Sequence, residues 1–496
     1  MELSTILLFL ILTWFLIRAI SSITRKISGN PPPGPKRLLI IGILHQLGAK
    51  PHKSLTKLAK IHGPLMSLKL GQVTTIVVSS AAMAKEVLQT HDQFLCSRTI
   101  PDALHVYEHN TTGLPWIPVS DLWRNLRKIC NTQLFAGKVL DLNQNLRRRK
   151  VDELFGEMLK RSVAGEAVDI GRAAFTTALN QLSNTIFSVD LADPNSDLAK
   201  EFKDITYNIM KEAGMPNLSD YFPLLKMIDP QGVRKRMGIN FKRLIYVFDG
   251  LIDQRLRIRE SRDSSMNNDM LDTLLNIAEG GELNRNQINQ LLVDLFVAGT
   301  DTTSATFQWA MAELLRNPEI LSKARVELEQ IIGRGNPVEE SDIARLPYLQ
   351  AVRIVKEAFR FHSVFPLLLP RRAEADVEIA GFTVPKGVQI FINVWAIGRD
   401  PNTWDDPNSF KPERFLGSEL DVKGRNFELL PFGGGRRICP GLPLVMRILH
   451  LVLGTFIHSF DWKLENGIKP EEVDMEDKFG LTLEMAHPLR AVPCTL

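Results

Sequence analysis

Cysteine is scarce in this 496-residue chain: Cys96, Cys130, Cys439 and Cys494 are all there is, and no two are close enough for a C-x-x-C pair. A disulfide framework, a cysteine zinc site and a dithiol redox centre are thereby excluded, and a reducing compartment fits best. Excess charge of one sign is scarce as well. The net charge is +4, and the first 40 residues, with five basic groups against Glu2, account for all of it. The balanced remainder leaves no basic stripe for nucleic acid. Internal repeats and low-complexity tracts are missing, which excludes fibres, solenoids and disorder. What is present, 44% hydrophobic and 23% charged residues, is the composition of a folded chain with a large core.

Long apolar runs are also few, and the clearest stands at the front. Leu3 to Ile17 read LSTILLFLILTWFLI, followed by Arg18, a half-apolar stretch and Arg25-Lys26. With Arg18 snorkelling, this reaches the ~20 residues that span a bilayer core. A cleaved signal peptide carries its positive charge ahead of the apolar run; here the charge follows, which predicts an uncleaved anchor with a cytosolic body. Pro31-Pro32-Pro33-Gly34-Pro35 comes next and predicts a stiff extended spacer. The expected organisation is an anchor over residues 1–24, a basic, proline-rich hinge over 25–37 and one large domain over 38–496. The sequons at Asn110 and Asn217 then stay unglycosylated.

The body reads as mainly helical with a small β part drawn from both ends. LMSLKL and VTTIVVSS, joined at Gly71-Gln72, have the length and β-branched content of strands, as do DVEIAGFTV, GVQIFINVW and, weakly, LTLEM. Helical periodicity marks AAMAKEVLQTH, DLWRNLRKICNTQLF, the 198–214 stretch, the run after Met237 and a long run from Asn286 to Leu315 that stops at Asn317-Pro318. SRDSSMNNDM, residues 261–270, reads as an exposed loop.

One cysteine differs from the rest. Cys439 closes the loop Phe432-Gly433-Gly434-Gly435-Arg436-Arg437-Ile438-Cys439-Pro440-Gly441, directly before a helical run, with Pro440 suited to the first helical position. Free N–H groups and the helix dipole there favour a thiolate, able to act as nucleophile or metal ligand. The glycines leave room for something broad and flat, and Arg437 can pair with an acidic substituent on it. F-x-x-G-x-R-x-C-x-G, matched by Phe432, Gly435, Arg437, Cys439 and Gly441, resembles the haem loop of the cytochrome P450 monooxygenases; average residue frequencies give such a match odds of ~10⁻⁴ by chance. Longer strings, AIGRDPNTWDDPNSFKPERF and ELLPFGGGRRICPGLPL, resemble the plant microsomal group of geraniol 8-hydroxylase and related terpenoid oxidases.

The resemblance implies a cytochrome P450 fold, a single large domain behind the membrane anchor, with heme b held by the Cys439 thiolate. It implies dioxygen as oxidant, electrons from NADPH through NADPH-cytochrome P450 reductase, a lipophilic substrate such as a terpenoid, and a single-pass position in the endoplasmic reticulum membrane. Further motifs follow in the family's order. Glu357-x-x-Arg360 and Arg414 of Phe410-Lys411-Pro412-Glu413-Arg414-Phe415 resemble its buried Glu-Arg-Arg network. Trp123, Arg127 and Arg371 join Arg437 as expected propionate partners. In LLVDLFVAGTDTTSATFQWAMAELL, A-G-x-D-T-T resembles the oxygen-activation site: Ala298 lies beside the haem, Asp301 relays protons and Thr302 is the alcohol. Thr302 is expected to bond back to the carbonyl of Ala298 and open the helix.

The pocket is expected from the 101–120 loop with His105 and Tyr107 as polar handles, from Val297 to Thr302, from Val364 to Leu368 and from the turn around Leu481. Arg124, Lys128 and the basic group Arg147 to Lys150 are candidate reductase contacts. Two departures from the family pattern stand out. The segment before Glu357 is two residues longer than usual, enough to turn a helix by ~200°, and Phe361-His362-Ser363 stands where Leu-His-Pro is usual. Phe365 is expected to narrow the pocket. Competing readings are a haem-thiolate isomerase or dehydratase of hydroperoxides, against which the Asp301-Thr302 pair argues, and a non-catalytic haem-binding relative.

Overall fold

The computed structural model describes Thr13 and residues 29–192, 197–261, 269–346 and 352–496. The expected anchor, most of the 261–270 loop and the lengthened stretch before Val352 lie outside the described residues.

Leu65–Leu70 (β1) and Val73–Val78 (β2) form the expected hairpin, turned at Gly71 with φ +59°. The strand alternation sends Met66, Leu68 and Leu70 into one apolar cluster and Leu65, Ile76 and Val78 into another. Ser97–Arg98 (β3), Arg371–Arg372 (β4) and Gln389–Ile392 (β5) complete a sheet in the order β1-β2-β5-β4-β3. Only β2 and β5 run parallel; the other pairs are antiparallel. The sheet is thus assembled from both ends of the chain.

Helices form the rest of the core: Asp121–Ile129 (α1), Ile170–Phe187 (α2), Arg285–Arg316 (α3), Val352–Phe361 (α4) and Leu442–Ser459 (α5) among them. Asn284 opens α3 with a capping box, its side chain accepting from the Gln287 N–H while Gln287 accepts from the Asn284 N–H, and Asn317-Pro318 ends it. Being apolar on most of its circumference, α3 runs through the interior. Phe296 on it meets Phe187 and Phe248 at ring distances of 5.6 and 5.1 Å. Among the described residues α5 is the one helix long and apolar enough to cross a membrane, and it is a core helix packed within the body.

The proline-rich segment departs from the expected spacer. Asn30 is stitched to Thr383 in both directions, and the Ser67 N–H donates to the Pro33 carbonyl at 2.8 Å. Pro32 is buried. Backbone groups of β1 need partners, and this extended strand supplies them, so the described part of the hinge belongs to the body.

A last hairpin, Asp477–Phe479 (β6) with Leu483–Met485 (β7), reaches back to α3. Asp477 is clasped from the helix Pro51–His62 and its cap: Lys50 Nζ at 2.6 Å, Lys53 Nζ at 2.7 Å and His52 Nε2 at 3.4 Å. Burial works against its charge, but the bonds from His52, Lys50 and Lys53 hold its carboxyl well below the usual range.

Candidate active site

A cavity of about 250 Å³ lies between α3, α1, the segment after α4 and the glycine loop before α5. The loop can pass only because it is glycine-rich. Gly435 sits at φ +68°, and a Cβ there would come within 2.3 Å of the Leu88 carbonyl oxygen and 2.6 Å of Asp92 Oδ1. The Cys439 N–H closes the loop on the Phe432 carbonyl at 3.0 Å, and the sulfur joins the cavity wall with Gly441 and Val445. Two expectations change here. Pro440 precedes the helix, and Pro443 takes the first turn after Leu442. Burial pushes the Cys439 thiol up, outweighing the N–H groups of Gly441 and Leu442 and the nearby Arg127, so the helix start alone does not make a thiolate. A cation at the sulfur has to displace the proton.

Four guanidiniums enter the same cavity. Arg127 donates to the Ile438 carbonyl at 2.5 Å, and Arg437 donates to the Cys96, Leu114 and Ile117 carbonyls while lying 4.9 Å from the Trp123 ring. Arg371 bonds Asp92 at 3.0 Å and the Gly434 carbonyl at 3.1 Å. The fourth, Arg98, carried no recognisable sequence signal; its donors go to the carbonyls of Pro115 and Leu369. Asp92, behind Arg371, is shared with Arg436, and Asp294, an acid in the cavity wall, is driven well above its ordinary range by burial. Beside it His109, bonded to Gln290 at 2.8 Å, is pushed down to about 4 by burial and stays neutral. Among the described residues the four guanidiniums have one ion-pair partner, Asp92 on Arg371, beneath apolar walls from Leu114, Leu295, Val364, Leu368 and Phe432. A flat, largely apolar group with two carboxylates and a metal for the sulfur matches this donor set. Haem fits.

On α3, Ala298, Gly299, Thr302 and Thr306 line the cavity. Thr302 Oγ1 donates to the Ala298 carbonyl at 2.7 Å, as expected, and Thr300, Thr303 and Thr306 bond back in the same way. The helix nevertheless stays unbroken over its whole length; bifurcated carbonyls accept the hydroxyls without losing the ladder. Asp301 points elsewhere. It is buried outside the cavity lining and accepts from Thr482 Oγ1 at 2.7 Å. Burial, then the neighbouring Glu484, push it up to about 7.

Away from the cavity, Glu357 receives Arg360 through two bonds of 2.7 Å, Arg414 Nε at 3.0 Å and the Lys411 N–H at 2.8 Å. The surplus positive charge is spread over the carbonyls of Gly398, Pro407 and Ser409. Phe361 and His362 have their own partners: Phe361 lies 4.5 Å from the Arg399 guanidinium, and His362 stacks on Trp309 at 4.0 Å and meets Glu313 at 2.6 Å. Ser363 bonds back to the Phe359 carbonyl.

Val364 and Phe365 line the cavity; Val297 packs in the neighbouring helical core, with Leu481 against it. His105 is exposed with its ring at the Pro101 carbonyl, so it is not a polar handle in the cavity. The candidate reductase contacts also thin out. Arg147 is buried against Glu340 at 2.6 Å and Lys150 is held by Glu153 and Asp190, which leaves Arg124, Lys128 and Arg149 exposed.

Comparison with known proteins agrees with this geometry. The profile of the family described as Cytochrome P450 matches residues 32–486. Geraniol 8-hydroxylase of Catharanthus roseus is 55% identical over 498 residues, covering 100% of both chains. Geraniol 8-hydroxylase of Swertia mussotii is 56% identical over 99% of each, and drimenol monooxygenase of Persicaria hydropiper 50% identical over 94% of this chain and 92% of its own.

Proposed function

Because this chain belongs to the cytochrome P450 family, and is a monooxygenase that holds haem through a cysteine thiolate, we propose that Cys439 is the iron ligand and that the substrate is a terpenoid. The observation that carries the first part is the cavity itself: one sulfur, four guanidiniums and a threonine-bearing helix share a single apolar space. Haem, when bound, supplies dioxygen binding and reductive O–O cleavage. The chain's own residues do the rest. Arg98, Arg127, Arg371 and Arg437 hold the propionates, Trp123 buttresses Arg437, and Phe432 and Gly441 flank the sulfur. Thr302 holds water and a proton at its hydroxyl, and Asp301 delivers protons to it by turning its carboxyl from Thr482 toward the cavity. Phe365, Val364 and Leu295 exclude water and orient an apolar substrate.

The relatives' names, geraniol 8-hydroxylase and drimenol monooxygenase, support an alcohol-bearing mono- or sesquiterpenoid. Asp294 and the His109–Gln290 pair, rather than His105, are the polar groups near that space. Residues 1–24 anchor the body to the endoplasmic reticulum membrane in a single pass, with electrons from NADPH-cytochrome P450 reductase arriving at the face bearing Arg124, Lys128 and Arg149. Turnover of monoterpenols, sesquiterpenes and diterpenes in microsomes, with and without that reductase, tests the reading; product from none of them overturns the terpenoid assignment.

A further inference from the structure

The hairpin β6–β7 places Thr482, the residue leading into β7, and Glu484, on β7, beside Asp301. The residue between them is pinned on both sides: the Leu483 N–H donates to the Val364 carbonyl at 2.7 Å, and Trp309 Nε1 donates to the Leu483 carbonyl at 3.0 Å. Thr482 Oγ1 thereby stands 2.7 Å from Asp301 Oδ2 and 3.3 Å from Glu484 Oε1. Thr482 and Asp301 are buried, whereas Glu484 is partly open to solvent.

The proton count is informative. A hydroxyl has one hydrogen to donate, so it cannot satisfy two ionised carboxylates. Both contacts are hydrogen bonds only if one carboxyl carries a proton and donates it to Thr482 Oγ1, while the hydroxyl donates to the other. We propose that Glu484, through Thr482, is the solvent-side member of a proton relay that reloads Asp301, the pair holding one shared proton. In one step Glu484 gives its proton to Thr482 Oγ1 as Thr482 gives its own to Asp301 Oδ2. Glu484 is left a carboxylate, Asp301 becomes the acid, and water reprotonates Glu484; no electron moves. Once Asp301 has passed its proton on, the hydroxyl turns back.

The surrounding charges suit the role. Lys478 stands opposite Glu484 in the hairpin register and bonds the Tyr207 hydroxyl. Lys203, on the helix Asp197–Gly214, faces both carboxyls, itself beside Asp169, Arg172 and Asp204. These cations leave Glu484 able to ionise after transfer; burial raises both carboxyls, and at Asp301 the neighbouring Glu484 adds to it, bringing that carboxyl to about 7.

The inference rests on Asp301 being the proton donor to the cavity, and its test separates the two claims. Infrared spectra of the substrate-free ferric protein should show a carboxylic acid C=O band at neutral pH that shifts in D2O. Glu484→Gln, at a partly exposed position, should move the titration of that band to lower pH, whereas Thr482→Val, which removes a donor to the ionised form, should move it to higher pH. In turnover both should lower kcat by about tenfold, raise peroxide release and enlarge the solvent isotope effect at unchanged KM, with Thr482→Ser restoring all three. An unaltered band and isotope effect in both variants would overturn the relay, whatever Thr302→Ala does to coupling. Loss of coupling in Thr302→Ala alone leaves the site reading standing without it.

Discussion

Arg98 and Arg371 stand directly opposite each other in the register of β3 and β4, two guanidiniums drawn out of bulk water side by side. Like charges in cross-strand register destabilise a sheet, and of the two only Arg371 touches Asp92. The pair is unfavourable until a dianion enters.

That asymmetry predicts opposite effects of one substitution. Arg98→Met should raise the thermal midpoint of haem-depleted protein and weaken haem retention by about 1.5–3 kcal/mol, one charge-assisted bond. Calorimetry of the depleted protein and haem transfer to a scavenger would measure the two; a loss in both would show Arg98 to be ordinary scaffold.

Among the described residues Glu357 is the one acid bonded by Arg360 and Arg414. Glu357→Ala strands both guanidiniums in the interior, an expected cost of about 3–5 kcal/mol. The expected result is protein recovered without haem, read as a missing Soret band. A normal yield with a normal spectrum contradicts the network's role.

Cys439→Ser should remove the red-shifted Soret band of the reduced, carbon monoxide-treated protein. Thr302→Ala should leave that band intact, while peroxide release rises at the cost of product for the same NADPH consumed. Unchanged coupling in Thr302→Ala would remove the hydroxyl from the reaction.

Asp301 imposes a pH dependence of definite sign. Its carboxyl ionises near 3.8 in the unfolded chain and at about 7 in the native one, so between those values the native state binds more protons. The favourable contribution of its protonated form is complete below 3.8 and disappears as pH rises through about 7. Asp301→Asn should therefore gain in thermal midpoint relative to the parent across that window and level off above it. A difference independent of pH would contradict the assignment.

The ligand loop, the Glu357 network and the cavity face of α3 were legible because their residues lie close together in sequence, so spacing alone specifies their geometry. Arg98 was not, since a two-residue strand has no period and its meaning depends on Arg371, far along the chain. Thr482 and Glu484 were hidden for the same reason: LTLEM reads only as a weak strand, and nothing local says which helix it meets. Arg147 and Lys150, expected as candidate reductase contacts, turn inward because their partners, Glu340 and Asp190, are brought to them only by folding. Composition showed a proline-rich spacer, yet the carbonyls it exposes are the acceptors that the edge of β1 requires.

The clasp on Asp477 limits how far the front of the chain can be shortened. A cut beyond Lys53 takes away all three side chains that moor Asp477. The hairpin beside α3 would then lose its clasp on β6 and be held from the β7 side, by Val364 and Trp309. An excision chosen to make the protein soluble would surface as a fault in proton supply, at the far end of the sequence from the cut.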